Sequence, residues 1–321
     1  MKEIILISGA GQLGSRYLQG MSRCLKPLKI YVHDFNEDAL SNARQRWDEV
    51  SKSNNHEVFY ITSIGLLPKN IDVAIVATTS STRLSAINNI CNCTKVRYWV
   101  LEKVLAQNED EIDKILSLID SSKAWVNNPR RLMSWHQNIK NSLDCSNPTN
   151  FEVKGGSWGL ACNAIHFLDL FSWWTGEALK SVNTENLNKD WVKSKRAYYW
   201  EVFGELKVEF SNGSKASLYA DLSSEPVVIK VENNYSESTK NSWLINEAEG
   251  MALRSDGAKI SGNMNFQSEI TAPMIDLILD SGYCDLPLLK DSAELHRIFI
   301  REMHRHWKKS GNPLATFVPI T

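Results

Sequence analysis

The sequence lacks several features that would assign it to a class at once. It contains no run approaching the ~18 consecutive apolar residues of a membrane-spanning helix, so no membrane partner is predicted. Its 36 Lys and Arg nearly balance its 37 Asp and Glu, which excludes the broadly basic surface typical of nucleic-acid binding. Its six cysteines include no Cys-x-x-Cys pair and no zinc-like spacing, so no structural metal site is predicted.

The N-terminus also lacks the pattern of a secretory signal. Its apolar run is short, Glu3 interrupts the start, and a glycine-rich turn follows instead of a cleavage site. Without an export signal, we expect the cysteines to be reduced thiols and the protein to be cytoplasmic.

Strand-like and helix-like segments alternate over roughly the first 130 residues. Short apolar runs are typical of strands that are covered on both faces, and they occur at Ile4–Ser8, Leu28–His33, Val58–Ile61, Val73–Ala77, Trp99–Leu101 and Trp125–Asn127. Between several of them, apolar residues recur every three or four positions, as on one face of a helix. Asn36 before Glu37 and Asp38 predicts a helix N-cap. This alternation predicts a doubly wound parallel sheet, the Rossmann arrangement.

The pattern changes after about residue 130. Residues 151–158 and 200–248 are predicted strands, and Asn212-Gly213 predicts a two-residue hairpin turn within a meander. Helical patterns cover about 163–174, 267–280 and 291–309. We therefore predict an α/β protein with two domains. Residues 1–129 would form the NAD-binding Rossmann domain, and residues 130–321 an α+β domain with a mostly antiparallel sheet for substrate binding and oligomerisation.

A glycine-rich turn joins the first predicted strand to the first helix. The sequence Gly9-Ala10-Gly11-Gln12-Leu13-Gly14 is a G-x-G-x-x-G motif, and Asp34 follows Gly14 by 20 residues at the end of the second strand. This spacing is typical of dinucleotide binding, with the pyrophosphate on the helix N-terminus and the acid on a ribose hydroxyl. The other interpretation is a packing turn with Asp34 as a capping acid.

The cofactor preference depends on Asp34. A 2′-phosphate would meet like charge there, and no Arg follows directly, so NAD is favoured over NADP. Thr78 and Ser80, after the fourth strand, can donate hydroxyl hydrogen bonds to the cofactor, although either could instead cap a helix.

Further segments resemble the Gfo/Idh/MocA oxidoreductases, the family of glucose–fructose oxidoreductase and inositol dehydrogenase. The similar segments run in the family's order over nearly the whole chain. They are Leu101-Glu102-Lys103-Val104, the Asn128-Pro129-Arg130-Arg131 stretch, the helix from Cys162 to Asp169 with Asn163 and His166, and Leu286 to His296. Val104 stands where the family usually has proline, and Cys162 stands where an acid often precedes the histidine.

The resemblance implies roles for these residues. Lys103 would hydrogen-bond the reacting oxygen and relay or stabilise its proton, although it could instead be a surface lysine at a strand end. Glu102 and Lys103 would also join the cofactor site, and His166 would act as an acid or base. Asn128, Arg131, Asn163 and Asp169 would bind substrate. Asp169 could instead pair with a basic group, Arg131 could instead join the domains, and a lone His on an apolar helix is often a core residue. His166 and Asp169 could also bind a metal, but no third ligand is evident, so none is predicted.

The resemblance implies an NAD-dependent oxidoreductase acting on a sugar carbinol, with a nucleotide-activated or surface-polysaccharide precursor favoured as the substrate. Two alternatives stay open. One is a non-catalytic NAD(H) sensor or regulator, and the other is an epimerase or glycosidase that uses NAD transiently. The open face of the second predicted sheet suggests a homodimer or homotetramer. The basic end of the last helix is more simply a set of cations at a helix C-terminus than a nucleic-acid site.

Overall fold

The computed structural model describes residues 2–50, 55–143, 147–233 and 242–321. The chain divides into two compact units. The first unit comprises Met1–Ala106, Asp110–Asn127 and Asn265–Asp291, and the second comprises Gln107–Glu109, Asn128–Met264 and Ser292–Thr321. A segment from late in the chain thus packs with the N-terminal part. The roles assigned to residues 1–129 and 130–321 stay predictions.

The first unit is built on a parallel sheet of six strands with the order β3-β2-β1-β4-β5-β6. The strands are β1 (Glu3–Ser8), β2 (Leu28–His33), β3 (Glu57–Ile61), β4 (Asn70–Val76), β5 (Lys95–Leu101) and β6 (Ala124–Val126). The chain adds strands on one side of β1 and then returns to its other side at β4. Ligands bind outside the carboxyl ends of the strands at such a reversal. The predicted Rossmann sheet is confirmed.

Eight α-helices occur within the described residues. They are α1 (Gln12–Met21), α2 (Glu37–Asp48), α3 (Ser80–Cys93), α4 (Glu109–Leu118), α5 (Ser134–Ser142), α6 (Leu160–Thr175), α7 (Gln267–Ser281) and α8 (Leu289–Lys309). The predicted N-cap of α2 is confirmed, because the Asn36 side chain accepts from the N–H groups of Asp38 and Ala39 at 2.8 and 3.3 Å. None of these helices has the length and apolar character needed to cross a membrane.

Helix α7 belongs to the first unit because it packs against α1. Gly20 makes this close approach possible, since a Cβ there would lie 2.6 Å from the Ser268 carbonyl oxygen and 2.7 Å from the Thr271 side chain. The contact joins residues that are about 250 positions apart in the chain. No local pattern predicts such a pairing.

The second unit holds an eight-stranded sheet with the order β16-β15-β14-β13-β7-β12-β11-β8, together with the β9–β10 pair. The strands are β7 (Thr149–Gly155), β8 (Leu179–Leu187), β9 (Val192–Lys193), β10 (Trp200–Glu201), β11 (Gly204–Phe210), β12 (Lys215–Ala220), β13 (Val228–Asn233), β14 (Ser242–Asn246), β15 (Met251–Arg254) and β16 (Lys259–Ser261). The predicted mostly antiparallel sheet is confirmed.

The predicted continuous meander is wrong, because β7 lies between β12 and β13 and runs parallel to β12. The hairpin at Asn212-Gly213 is present, with Gly213 at φ +86°. Its loop is longer than two residues, since the Phe210 N–H donates to the Ser214 carbonyl at 2.8 Å and the ladder resumes at Lys215.

Helix α6 is part of the buried core of the second unit. It begins after Gly159 at φ +78° and ends at Gly176 at φ +74°, backbone conformations that favour glycine. Phe171 of this helix stacks on Phe151 of β7, with ring centroids 4.3 Å apart. Because α6 is buried along nearly its whole length, its polar side chains need partners inside the protein. No disulfide joins the five cysteines of the described residues, and Cys145 lies outside them.

Candidate active site

A pocket of about 450 Å³ lies at the carboxyl ends of β1, β2 and β4 in the first unit. Its wall contains Gly9 and Gly11 of the glycine turn, Asp34, and Thr78 after β4. These residues come from three separate loops, and the sheet topology brings them together. The pocket therefore lies where the strand order reverses, the position expected for a ligand of this fold.

Two of the motif glycines are required by contacts within the protein. Gly9 has φ +96°, and a Cβ there would lie 3.0 Å from the backbone of Ala77 and Thr78. A Cβ on Gly14 would lie 1.8 Å from the Gly9 carbonyl oxygen, so only glycine lets α1 approach β1 this closely.

Gly11 is different, because a Cβ there would meet no protein atom within 4 Å. Gly11 also lines the pocket. The first N–H groups of α1, at Gln12 and Leu13, also have no acceptor within their helix. This turn therefore offers uncovered backbone donors and open space, which suits an anionic diphosphate.

Asp34 is held in a fixed orientation at the pocket. One carboxylate oxygen accepts the Ala10 N–H at 2.7 Å, and the other accepts the Asn36 N–H at 2.9 Å. Each oxygen keeps a further lone pair, so the carboxylate can still accept from two ribose hydroxyls.

The loop after β4 places its hydroxyl groups differently from one another. The Thr78 Oγ1 is buried at the pocket wall and has no hydrogen-bond partner among the described residues. Ser80 is buried at the first position of α3 and is not part of the pocket wall. The Thr79 hydroxyl lies 3.3 and 3.2 Å from those of Ser81 and Thr82 and caps no backbone N–H of α3. The open space at Gly11 and the unpartnered Thr78 hydroxyl fit a bound nicotinamide dinucleotide.

Glu102 and Lys103 follow β5 at the same edge of the sheet. Glu102 is buried, and one of its carboxylate oxygens accepts the Tyr17 hydroxyl at 2.6 Å and the Asn127 amide at 2.7 Å. Asn127 also donates to Gln267 of α7 at 2.8 Å. Burial and the Glu102 carboxylate raise the pKa of Tyr17 well above its usual value. Glu102 is thus anchored, while Lys103 beside it is half-buried.

His33 is a pocket residue that no sequence motif indicated. It ends β2, is 4% exposed, and neither ring nitrogen has a hydrogen bond of ordinary geometry within the described residues. Burial lowers the pKa of His33 below its usual value, although Asp34 and the Thr62 backbone act in the opposite direction. The available signal was a histidine directly before the acid, at the end of a mostly apolar strand.

In the second unit, the structure pairs two of the predicted substrate-binding residues with each other. Arg131 follows β6 in a short 3-10 helix, Pro129–Leu132, and donates to both carboxylate oxygens of Asp169 at 2.9 and 2.7 Å. Burial raises the pKa of Asp169 above its usual value, although the Arg131 guanidinium acts in the opposite direction. Asp169 therefore has the basic partner that was the other interpretation of its role.

The remaining predicted residues of the second unit lie on or near α6. His166 is half-buried, and the Asn163 side chain donates to the Trp158 carbonyl at 2.8 Å. Asn128 is 1% exposed, and neither polar atom of its side chain has a hydrogen-bond partner within the described residues. The described residues therefore leave the hydrogen-bonding capacity of the Asn128 amide unused.

A second buried ionic cluster was also missed. Arg130 donates to both oxygens of Glu247 at 2.7 and 2.6 Å, and the fully buried His136 lies 3.1 Å from the same carboxylate. Burial raises the pKa of Glu247, but Arg130 and His136 outweigh it and set the pKa at about 2. Within the described parts of the chain, no group of three or more His, Cys, Asp or Glu could hold a metal ion.

Comparisons with known proteins show which solved structures share this fold. No protein-family model and no curated protein sequence matches the chain. Among solved structures, it is similar to UDP-N-acetylglucosamine 3-dehydrogenase from Acidithiobacillus ferrooxidans, with a TM-score of 0.69 and 11% identity over 98% of this chain and 99% of that one. Myo-inositol 2-dehydrogenase from Lactobacillus plantarum gives a TM-score of 0.67 and 14% identity over 96% and 98%.

An oxidoreductase from Agrobacterium radiobacter, solved with NAD+, L-tartaric acid and magnesium, gives a TM-score of 0.69 and 12% identity over 96% of each chain. At such low identity these likenesses establish the fold alone. They confirm, at the level of the fold, the resemblance to the Gfo/Idh/MocA oxidoreductases, and it extends over nearly the whole chain.

Proposed function

We propose that the protein is an NAD-dependent oxidoreductase that transfers hydride between a sugar carbinol and the nicotinamide. The substrate class is a nucleotide-activated sugar or another surface-polysaccharide precursor. The observation that carries the proposal is the pocket of the first unit, where Gly11 leaves open space and Asp34 presents a fixed carboxylate. A bound nicotinamide supplies the hydride acceptor.

In this proposal, the chain's own residues bind the cofactor and take the proton from the substrate. The N–H groups at Gln12 and Leu13 and the space at Gly11 take the diphosphate, Asp34 binds the ribose hydroxyls, and Thr78 adds a hydroxyl contact. In the direction of oxidation, the Lys103 amine takes the proton of the substrate hydroxyl while the carbinol C–H leaves as hydride. Glu102 holds the strand end from which Lys103 projects.

The second unit supplies the residues proposed to bind substrate. Asn128 is the strongest candidate, because its buried amide has donors and acceptors that the described residues leave unused. Arg131 and Asp169 bind each other, so we propose that they act as a pair that orders α6. His166 as acid or base and Asn163 as a substrate contact stay predictions, as do a homodimer or homotetramer and a cytoplasmic location.

The cofactor is tested first, by calorimetric titration of the protein with NAD, NADH, NADP and NADPH. The proposal expects NAD and NADH to bind at least about tenfold more tightly than their phosphorylated forms, because a 2′-phosphate would face the Asp34 carboxylate. Asp34→Ser should narrow that gap. Absence of binding by all four nucleotides would refute the proposal.

The reaction is tested with NAD and a panel of sugars and nucleotide sugars. Absorbance reports the reduced nicotinamide, and mass spectrometry reports any altered sugar. Formation of NADH with an oxidised sugar supports the proposed reaction. An altered sugar without net reduction would indicate an epimerase or glycosidase instead. Tight NAD(H) binding with an unaltered panel would favour a sensor.

A further inference from the structure

A single buried cation contacts both backbone segments on which the proposed site depends. Arg83 lies near the start of α3 and is 1% exposed. Its guanidinium donates one N–H to the Thr78 carbonyl and another to the Val104 carbonyl. Thr78 forms part of the pocket wall, and Val104 directly follows Lys103. We propose that Arg83 is a positioning residue that fixes the position of the turn carrying Lys103 relative to the cofactor pocket, an inference that rests on the proposed function.

The chemistry of the guanidinium explains why arginine occupies this position. Its N–H donors lie in one rigid plane, so two acceptors bound to it are fixed relative to each other. A lysine ammonium is a single point on a flexible stem and imposes no such geometry. A buried guanidinium also needs acceptors to offset its lost hydration, and backbone carbonyls provide them. The loop after β4 and the loop after β5 are therefore bound to one side chain.

Val104 makes this contact more important. The family that the sequence resembles usually has proline at this position, and a proline ring restricts the backbone torsion φ without help from other residues. Valine provides no ring, so the turn after Lys103 relies on contacts with the rest of the protein. The Val104 side chain is fully buried, and its carbonyl is bound by Arg83.

The residue on the other side of Lys103 is also anchored. Glu102 accepts from Tyr17 of α1 and from Asn127 after β6. The backbone at Lys103 is thus set by a carboxylate before it and by a carbonyl after it. Of these anchors, Arg83 is the one that also binds the wall of the pocket, so it alone among them links Lys103 to the loop that would contact the cofactor.

The test compares Arg83→Met with Ile87→Ala. Methionine keeps an apolar stem but has no donors. Ile87 is fully buried one turn further along α3, so its truncation weakens the packing of the same helix and leaves the guanidinium intact. Three quantities are measured: kcat, the Kd for NADH, and the NMR signal of Lys103. Reductive ¹³C-methylation of the lysines gives that signal, which is assigned as the resonance missing from Lys103→Arg.

For Arg83→Met, we expect kcat to fall about 10- to 100-fold, because a small misplacement of a reacting group is costly. The Kd for NADH should stay within about threefold, and the Lys103 resonance should shift. Ile87→Ala should lower thermal stability yet keep the wild-type resonance and kcat. If Arg83→Met does not fold, Arg83→Lys replaces it, since it keeps the charge and loses the planar pair of donors.

Three outcomes would overturn the proposal. They are an unmoved Lys103 resonance in a folded Arg83 variant, a loss of NADH affinity as large as the loss of kcat, and the same changes in Ile87→Ala. The resonance also separates this inference from the proposed function. If the wild-type protein turns over no substrate, the proposed reaction fails, while a shifted Lys103 signal in Arg83→Met still supports the positioning role.

Discussion

The carboxyl edge of the first sheet and the polar cluster around α6 satisfy their functional groups in opposite ways. At the first edge, Gly11 faces open space and the Thr78 hydroxyl has no partner among the described residues. Around α6, the charged side chains bind one another, as Arg131 binds Asp169 and Arg130 binds Glu247. Polar groups of the first unit thus stay available for a ligand, whereas these charged side chains of the second unit are paired with one another.

The difference follows from the cost of burial. A buried charge is costly without a partner, so a charged side chain on an almost fully buried helix needs an opposite charge inside the protein. A backbone N–H at a helix start costs little while water reaches it and remains available for a ligand. We infer that a charged residue on a buried helix is a weaker candidate for substrate binding, because its charge is already paired. Neutral amides such as Asn128 then become the better candidates.

The largest effect that would test this comparison is expected at Lys103. Lys103→Met should lower kcat by about a thousandfold, because the proton acceptor is lost, and should change the Kd for NADH by less than about threefold. Steady-state kinetics and calorimetry measure the two quantities. The control is Lys95→Met, on the exposed first position of β5. Nearly unchanged turnover in Lys103→Met would show that the first edge does not carry the chemistry.

The ionic cluster of the second unit should govern stability. At neutral pH, Glu247→Gln should lower the free energy of unfolding by about 3–5 kcal/mol, because Arg130 then lacks its counter-charge. The pKa of Glu247 is about 2 in the folded protein, against 4.5 for an ordinary glutamate side chain. The wild-type advantage should therefore be complete above pH 4.5 and be lost as the pH falls towards 2, since the unfolded state takes up the proton first.

Urea unfolding at pH 7 and pH 3.5 measures this advantage. Glu249→Gln, an exposed position in the same turn, is the matched control and should differ little from wild type at either pH. An equal loss for Glu247→Gln at both pH values would contradict the ionic interpretation of the cluster.

A pair of glycine substitutions separates folding from binding within the first unit. Gly14→Ala should lower stability by about 3 kcal/mol, because its Cβ would overlap the Gly9 carbonyl oxygen. Gly11→Ala should keep the thermal midpoint, because its Cβ meets no protein atom, yet weaken NADH binding about tenfold. Thermal denaturation and calorimetry measure the two effects. Unchanged affinity in Gly11→Ala would show that the diphosphate does not bind at this turn.

The smallest effect is expected at Tyr17. Tyr17→Phe removes one of the two hydrogen bonds to Glu102, while Asn127 keeps the other. We expect a loss of about 1–2 kcal/mol in stability and a modest fall in kcat. The control is Tyr31→Phe, whose ring stacks on Phe59 and should cost less. A large loss of kcat without a loss of stability would assign Tyr17 a direct part in the reaction.

Local patterns in the sequence were sufficient for much of the first unit. Apolar runs located its six strands, the Asn36 cap was visible from its residue type, and the glycine spacing with Asp34 located the pocket. These features depend on neighbours within a few residues or on a motif of fixed length, so the sequence determines them directly. His33 and Arg83 belong to the same unit but carry no motif, so the sequence does not indicate their positions at the site.

The pairing of distant segments depends on tertiary packing. Strand β7 enters between β12 and β13, α7 packs on α1 through Gly20, and Arg131 binds Asp169. Each contact joins residues far apart in the chain, so no local periodicity encodes it. The partners are chosen by close packing and by the need to compensate buried charge, and both act only once the elements are assembled. Local sequence patterns therefore predict which segments form strands and helices and where we propose that a dinucleotide binds, whereas assembly of the fold fixes which of the predicted side chains remain available for a substrate.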